Sequence, residues 1–333
     1  MPVRNSANRN SEKENYSIAI KMETDSIKPL IWAVSDGRAG NVAMVMGLAE
    51  RVAKLTNGHV LQRNLTVSGP RAWLAARLPW LPSRLQMATY PQPAVVIGAG
   101  RRVAPAVAAM RKSSAKAVQI LDPRMDLRRF DLVIAPEHDG LSAPNAFSTL
   151  GSVHRITAEK LEEAQQAWSA KFDALPRPLV SVLIGGSTKR TAMTDAMATL
   201  LADDLRGLSD RGIGLAITAS RRTPEAHAQL IAEALPHADF WDGTGENPYF
   251  GMLACADALI VTDDSVNMAS EAAATGQPVA IYPLLREGGK IALFHERLIE
   301  TGHAAWFDGT LSHAENGILD ETQRAAEEVA ALL

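Results

Sequence analysis

The chain has 333 residues, 47% of them hydrophobic and 21% charged, which suits a globular protein with room for two ordinary domains. A net charge of -3 gives no global attraction to nucleic acid, so an anionic ligand would need a local site. No apolar run approaches the ~20 residues that span a bilayer, and the one cysteine, Cys255, excludes a disulfide framework and fits a buried thiol.

Residues 1–25 are polar and unpatterned, without the apolar core of a secretion signal, and read as an unstructured lead. The chain therefore reads as cytoplasmic. From Leu30, short apolar strands alternate with amphipathic helices, the pattern of parallel sheets covered by helices. The strands "LIWAVS", "HVLQRNL", "AVVIGA", "KAVQIL" and "DLVIAP" mark a first Rossmann-like unit, 26–157. A charged helix and a proline-bearing linker fill 158–178. A second unit, 179–312, runs through "LVSVLIG", "GIGLAIT", "ADFW", "ALIVT" and "PVAIYP". The last segment, 313–333, is helical, with Ile318, Ala325, Val329 and Leu332 at near-helical spacing on one packed face.

Within the first unit, "GPRAWLAARLPWLPSRL" interleaves Arg77 with Trp80 and Leu81 between two prolines. Such a segment suits a membrane headgroup layer, or it covers the first sheet as ordinary core. Further on, "VVIGAGRRVAPAVAAM" places Gly98 and Gly100 as in a dinucleotide fingerprint, with Asp122 after the next strand. Val103 stands where the third glycine belongs. Arg101 and Arg102 oppose the dipole of the helix that follows, so a cleft explains them better than folding does. His138, between Glu137 and Asp139, is a general-base candidate that reads more simply as a solvated turn.

In the second unit, "LIGGSTKRT" sets Gly185, Gly186 and Ser187 after a strand, with Lys189 and Arg190 before a helix. Glycines let backbone amides approach an anion, although a tight turn needs them in any case. The similar turn "ITASRRTPEAHAQL" adds Ser220 and Arg221 as nucleotide-binding candidates. In "TDDSVNMASEA", Ser265 is a natural N-cap, and Asn267 and Glu271 share a helix face. Glu271 could accept ribose hydroxyls or be an ordinary helix-surface glutamate. Asp263 and Asp264 read most simply as caps, the alternative being that they hold sugar hydroxyls or a divalent metal. Gly276 and Pro278 stop the helix. No zinc spacing or Walker loop occurs.

"SDGRAG", "GRRVAP", "DPRMDLRRFDLVIAPEHD", "LIGGSTKR", "SRRTP", "NPYFGMLACADALIVTDDSVNMASEA" and "TGQPV" together resemble the family named after a plant mitochondrial-fission factor. The resemblance spans roughly Trp32 to Phe307. Its plant member is described as an adaptor that recruits a dynamin-like protein. More distantly, the second half resembles GT-B glycosyltransferases, especially the lipid-linked GlcNAc transferase of peptidoglycan synthesis. That resemblance implies α/β architecture with two Rossmann-like domains facing a cleft, and a final helix that braces the first domain. It also implies a donor site at Gly185, Gly186, Ser187 and Glu271. The transferase's histidine-bearing first turn is replaced by "SDGRAG", which leaves Asp36, with Arg38 beside it, as the candidate base.

The expected activity is sugar transfer from a nucleotide sugar, with no required cofactor or metal, to an unknown acceptor that is lipid-linked or at a membrane surface. Arg101 and Arg102 would supply cleft charge. The rivals are a catalytically silent scaffold with a protein partner, and a nicotinamide-dependent epimerase or reductase using Gly98 and Gly100.

Overall fold

The computed structural model describes residues 28–65, 92–111, 115–286, 288–311 and 317–333. Its first sheet joins β1 (Leu30–Ser35), β2 (His59–Asn64), β3 (Val95–Ala99), β4 (Lys116–Ile120), β5 (Leu132–Pro136) and β6 (Ala146–Thr149). All pairs are parallel, in the order β2-β1-β3-β4-β5-β6. Successive side chains point to opposite faces, so both faces need cover. Ile31 and Ala33 meet Val45, Leu48 and Val52 of helix α1 (Ala39–Thr56). Trp32 and Val34 lie on the other face with Val107 of α2 (Ala104–Met110).

The second sheet joins β7 (Leu179–Ile184), β8 (Gly214–Ala219), β9 (Asp239–Trp241), β10 (Ala258–Thr262), β11 (Val279–Tyr282) and β12 (Ala305–Trp306). It too is wholly parallel, ordered β12-β11-β10-β7-β8-β9. The α/β architecture expected from the alternating pattern is therefore present as two six-stranded sheets. Two strands escape the sequence pattern, β6 ("AFST") and β12 ("AW"). Both are outermost in their sheets, where neither a long nor a fully apolar run is needed.

Helix α3 (Ala158–Phe172) is capped by Thr157, which accepts from Lys160 N. It lies along α6 (Tyr249–Cys255), with Trp168 filling the space over Gly251. Helices α4 (Asp195–Ser209) and α5 (Glu225–Ala234) cover one face of the second sheet. Helices α7 (Val266–Ala273) and α8 (Lys290–Glu300) cover the other.

The last helix, α9 (Glu321–Ala330), returns to the first half, where Ala325, Ala326 and Val329 are fully buried with α1. Ile318 departs from the expected packed face. It precedes the Asp320 N-cap and is 63% exposed, because the helix begins later than its apolar spacing suggests.

Polar contacts also join the halves. Ser152 Oγ donates to Asn267 Oδ1 at 2.7 Å, and Ser152 N donates to Ser270 Oγ at 2.9 Å. Lys290 Nζ meets Asp139 Oδ1 at 2.8 Å.

Candidate functional site

In a parallel sheet, the crevice for a ligand opens outside the carboxyl ends of the two strands where the order reverses. Here those pairs are β7 and β10 in the second sheet, and β1 and β3 in the first. The turns after β7 and β10 hold Gly185 to Ser187 and Asp263 to Ser265. The turns after β1 and β3 hold Asp36 to Arg38 and Gly100 to Arg102.

The glycine turn after β7 is bound tightly to its surroundings. Gly185 N donates to Thr262 Oγ1 at 2.7 Å, Gly186 N to Asp264 Oδ2 at 3.1 Å, and Ser187 N to the Arg222 carbonyl at 3.1 Å. A Cβ on Gly186 would stand 2.3 Å from that carbonyl oxygen. The glycines thus serve close packing, and their amides are already engaged. This corrects the expectation that these amides face a ligand. Ser187 Oγ likewise accepts from Met193 N.

The side chain of Asp264 is fully buried. It takes a hydrogen bond from Thr262 Oγ1 at 2.6 Å and an ion pair from Arg222 Nη2 at 2.6 Å. Asp263 accepts from Leu285 N and Arg286 N, fixing the loop after β11. The acidic pair therefore braces the neighbouring turns, as caps do.

Ser265 caps α7 by accepting from Met268 N. The amides of Val266 and Asn267 have no partner among the described residues. Ala39 and Gly40, at the start of α1, are in the same state. These two amino ends face each other, since a Cβ on Gly40 would lie 3.1 Å from Asn267 Nδ2. Asn267 itself bridges the halves through Ser152.

Glu271 lies deeper on α7, and its Oε2 accepts from the Tyr249 hydroxyl at 2.5 Å. Burial pushes the Glu271 carboxyl up from 4.5 to about 7, against the opposing effect of the Tyr249 hydrogen bond. Burial, with the Glu271 charge beside it, also raises the Tyr249 phenol. Glu271 Oε1 keeps no partner among the described residues.

In the first half, Asp36 organises its own turn. Its Oδ1 accepts from Asn41 Nδ2 at 2.8 Å and from Arg38 N, and its Oδ2 lies 3.5 Å from Arg38 Nε. Arg38 is exposed, as are Arg101 and Arg102, which have no partner among the described residues. Gly98 has Val107 Cγ2 pressed where its Cβ would be, at 2.4 Å, and Asp122 pairs with Arg124 at 2.8 Å. Helix packing and a local ion pair thus account for the dinucleotide-like spacing.

His138 is not a free solvated turn residue. Its ring packs edge-on against Phe294 at 5.7 Å, and burial lowers its pKa. His295 Nε2 lies 2.9 Å from the Asp263 carbonyl, and burial lowers its pKa as well.

Lys189, Arg190 and Arg221 are exposed, and Ser220 Oγ accepts from Arg222 N. Arg222, not Arg221, reaches into the site. Tyr249, Arg222 and Asn41 complete the arrangement without having been singled out for it in the sequence, and Asp264, read there as a cap, joins them. The "NPYF" that opens into α6 was the one available signal for Tyr249. Arg77, Trp80 and Leu81 lie outside the described residues, as does the lead 1–25. No group of metal-ligating side chains occurs among the described residues, and none of their helices is long and apolar enough to cross a membrane.

The profile of the family described as Mitochondrial fission ELM1 matches residues 39–333. The chain belongs to this family. It is 33% identical over 269 residues to the mitochondrial fission protein ELM1 of Arabidopsis thaliana, a match covering 71% of this chain and 63% of the plant protein. The chain thus spans less than two thirds of that relative's length. It is also 27% identical over 343 residues to the uncharacterized protein RP120 of Rickettsia prowazekii, covering 89% of this chain and 96% of that one.

Among solved structures, the UDP-GlcNAc 2-epimerase of Methanocaldococcus jannaschii superposes with a TM-score of 0.59 at 11% identity, covering 91% of this chain and 99% of the other. The Neisseria meningitidis UDP-GlcNAc 2-epimerase bound to UDP-GlcNAc gives 0.59 at 10% identity, with the same coverage. At such identities the likeness is one of fold. This ELM1-family chain has the GT-B arrangement shared by glycosyltransferases and these epimerases.

Proposed function

We propose that the chain binds a nucleotide sugar in the crevice and transfers its sugar to an acceptor on the first-half side. The observation that carries this reading is the meeting of the α1 and α7 amino ends, where Gly40 approaches Asn267 and the first amides of both helices have no partner among the described residues. Two helix dipoles converging on one point favour a diphosphate. Glu271 is placed to receive ribose hydroxyls on its open Oε1, while Ser265 and Asn267 orient the α7 start. Gly185, Gly186 and Ser187 contribute by holding Asp264 and Arg222 in position. Lys189, Arg190, Ser220 and Arg221 line the rim.

In the transfer, an acceptor hydroxyl oxygen bonds to the anomeric carbon as the bond to the diphosphate oxygen breaks. The electron pair leaves on the nucleoside diphosphate, whose charge the helix ends stabilise. Asp36 is the proposed base, assisted by Arg38, and must release Asn41 or Arg38 to take the proton. The charge stabilisation comes from the protein's own groups, so no resident metal or cofactor is required.

A thermal-shift series with UDP, UDP-GlcNAc and NAD tests the reading. At a hundred times its dissociation constant, a ligand adds about 2.7 kcal/mol of stability. Stabilisation by UDP or UDP-GlcNAc, weakened in Glu271→Ala, is the expected result. Stabilisation by NAD alone, lost on substitution of Gly98, would overturn it in favour of an oxidoreductase.

A silent scaffold is the second reading, favoured by the engagement of both Asp36 oxygens within their own turn. Turnover of a bound nucleotide sugar separates the two.

A further inference from the structure

The chain carries 37 acidic and 34 basic residues, so acids are in surplus for pairing. Most arginines away from the crevice use them: Arg111 meets Asp131, Arg155 meets Glu50, Arg206 meets Asp203 and Arg177 meets Asp257. Arg101, Arg102, Lys189, Arg190, Arg221 and Arg286 do not, among the described residues. All six follow strands at their carboxyl ends, on the rim of the crevice.

They form two groups. Lys189, Arg190, Arg221 and Arg286 belong to the second half, on the side assigned to the nucleotide. Arg101 and Arg102 follow β3 in the first half, next to α1, since a Cβ on Gly100 would lie 2.9 Å from Asn41 Nδ2. Their backbone is held from below by the fully buried Gln119, whose Nε2 donates to the Gly100 carbonyl at 3.3 Å. Their place ahead of α2 gains nothing from that helix, whose amino end disfavours positive charge. On this anchored turn, a pair of exposed guanidinium groups with no acidic partner among the described residues suits phosphate oxygens, which their planar forks can grip two at a time.

We propose that the second substrate is itself phosphorylated, and that Arg101 and Arg102 hold its phosphate on the first-half rim. This rests on the nucleotide-sugar reading for the opposite rim. It makes the crevice a site for two anions, with the reacting hydroxyl carried by a phosphate-bearing acceptor. The phosphate could belong to a soluble sugar phosphate or to a lipid headgroup, which share this chemistry.

The test is calorimetric titration of the full chain with inorganic pyrophosphate in the presence of saturating UDP. Wild type is expected to bind pyrophosphate beside UDP. Arg101→Ala with Arg102→Ala should weaken that binding about tenfold or more, leaving UDP affinity and the melting temperature unchanged. Arg101→Lys with Arg102→Lys should fall between, because charge remains without the fork. Glucose 1-phosphate, and phosphatidylcholine vesicles with and without phosphatidic acid, then identify the source by which binding the alanine variant loses. Mutual displacement of UDP and pyrophosphate at one site, or wild-type pyrophosphate binding by the alanine variant, would overturn the proposal. Failure of UDP to bind, with pyrophosphate binding still dependent on the two arginines, would instead remove the donor reading and keep the phosphate site.

Discussion

Gly185 and Asp264 are packed so closely that a Cβ on the glycine would lie 2.0 Å from each carboxylate oxygen. The carboxylate also binds Gly186 N, Thr262 Oγ1 and Arg222. The turn after β7 and the turn after β10 are therefore one unit, locked across the second sheet's point of reversal.

Gly185→Ala should be strongly destabilising, because a fully buried carboxylate with three partners cannot move aside. Asp264→Asn keeps the shape but loses the charge opposite Arg222. A cost of about 1–3 kcal/mol is expected for hydrogen bonds lost at a buried polar group. Chemical denaturation of both variants measures this. If Gly185→Ala melts like wild type, the turn is not locked in the way described.

Two sets of buried groups push the pH dependence of stability in opposite directions. Burial raises the Glu271 carboxyl to about 7, so the folded chain holds a proton that the unfolded chain releases above about 4.5. Its stabilisation is complete below that lower value and is lost as pH rises through about 7. Burial lowers His154 to about 4, so its contribution is present above 6.5 and is lost as pH falls towards 4. His138 and His295 shift in the same direction as His154. Glu271→Gln should therefore remove much of the loss of stability between about pH 5 and pH 7 while leaving the acid limb intact. Melting curves across that range check it, and an unchanged upper limb would show that Glu271 titrates normally.

The strands that carry the site were legible because buried parallel strands read as short apolar runs closed by polar turns. Ser265 as a cap and Gly276, with φ of 76°, as a helix stop were readable from local chemistry alone. The edge strands β6 and β12 were not, since neither needs an apolar run. The use of the glycine turn was also hidden. Whether the amides of Gly185 and Gly186 face a ligand or a carboxylate depends on Asp264, which is 78 positions from Gly186. Likewise, Glu271 could be placed on a helix face, but its partner Tyr249 comes from the preceding helix. Long-range pairing of polar groups leaves no periodic trace in sequence.

Small polar groups form one part of the contact between the halves, and this makes that junction testable. A Cβ on Gly151 would stand 2.3 Å from Ser270 Oγ, and Asn267 Oδ1 receives Ser152 Oγ. Gly151→Ala should force the halves apart, while Asn267→Ala should cost about 1 kcal/mol for one hydrogen bond. Small-angle scattering should report a larger radius for Gly151→Ala only. Calorimetry should then resolve two transitions where wild type shows closer coupling. A single unshifted transition in Gly151→Ala would mean that the junction tolerates the extra carbon by local adjustment.

The return of the last helix gives the remaining prediction. Ala325, Ala326 and Val329 of α9 are fully buried against α1, and Asp320 meets Arg51 Nη2 at 3.1 Å. Thr322 Oγ1 accepts from His154 N, tying the start of α9 to the segment after β6. Removing residues 317–333 would expose the apolar side of α1 and leave Arg51 without its acid. Val329→Ala, which removes two buried methyl groups, should cost about 2 kcal/mol, and the deletion should cost more. The loss should fall on the first half, because the α9 core contacts belong to its sheet and to α1. Hydrogen exchange can locate it, with protection expected to fall in β1, β3 and α1 and to persist in β7 and β10. Even loss across both sheets would show that the chain unfolds as one unit. Unchanged exchange and melting after the deletion would show that α9 braces nothing.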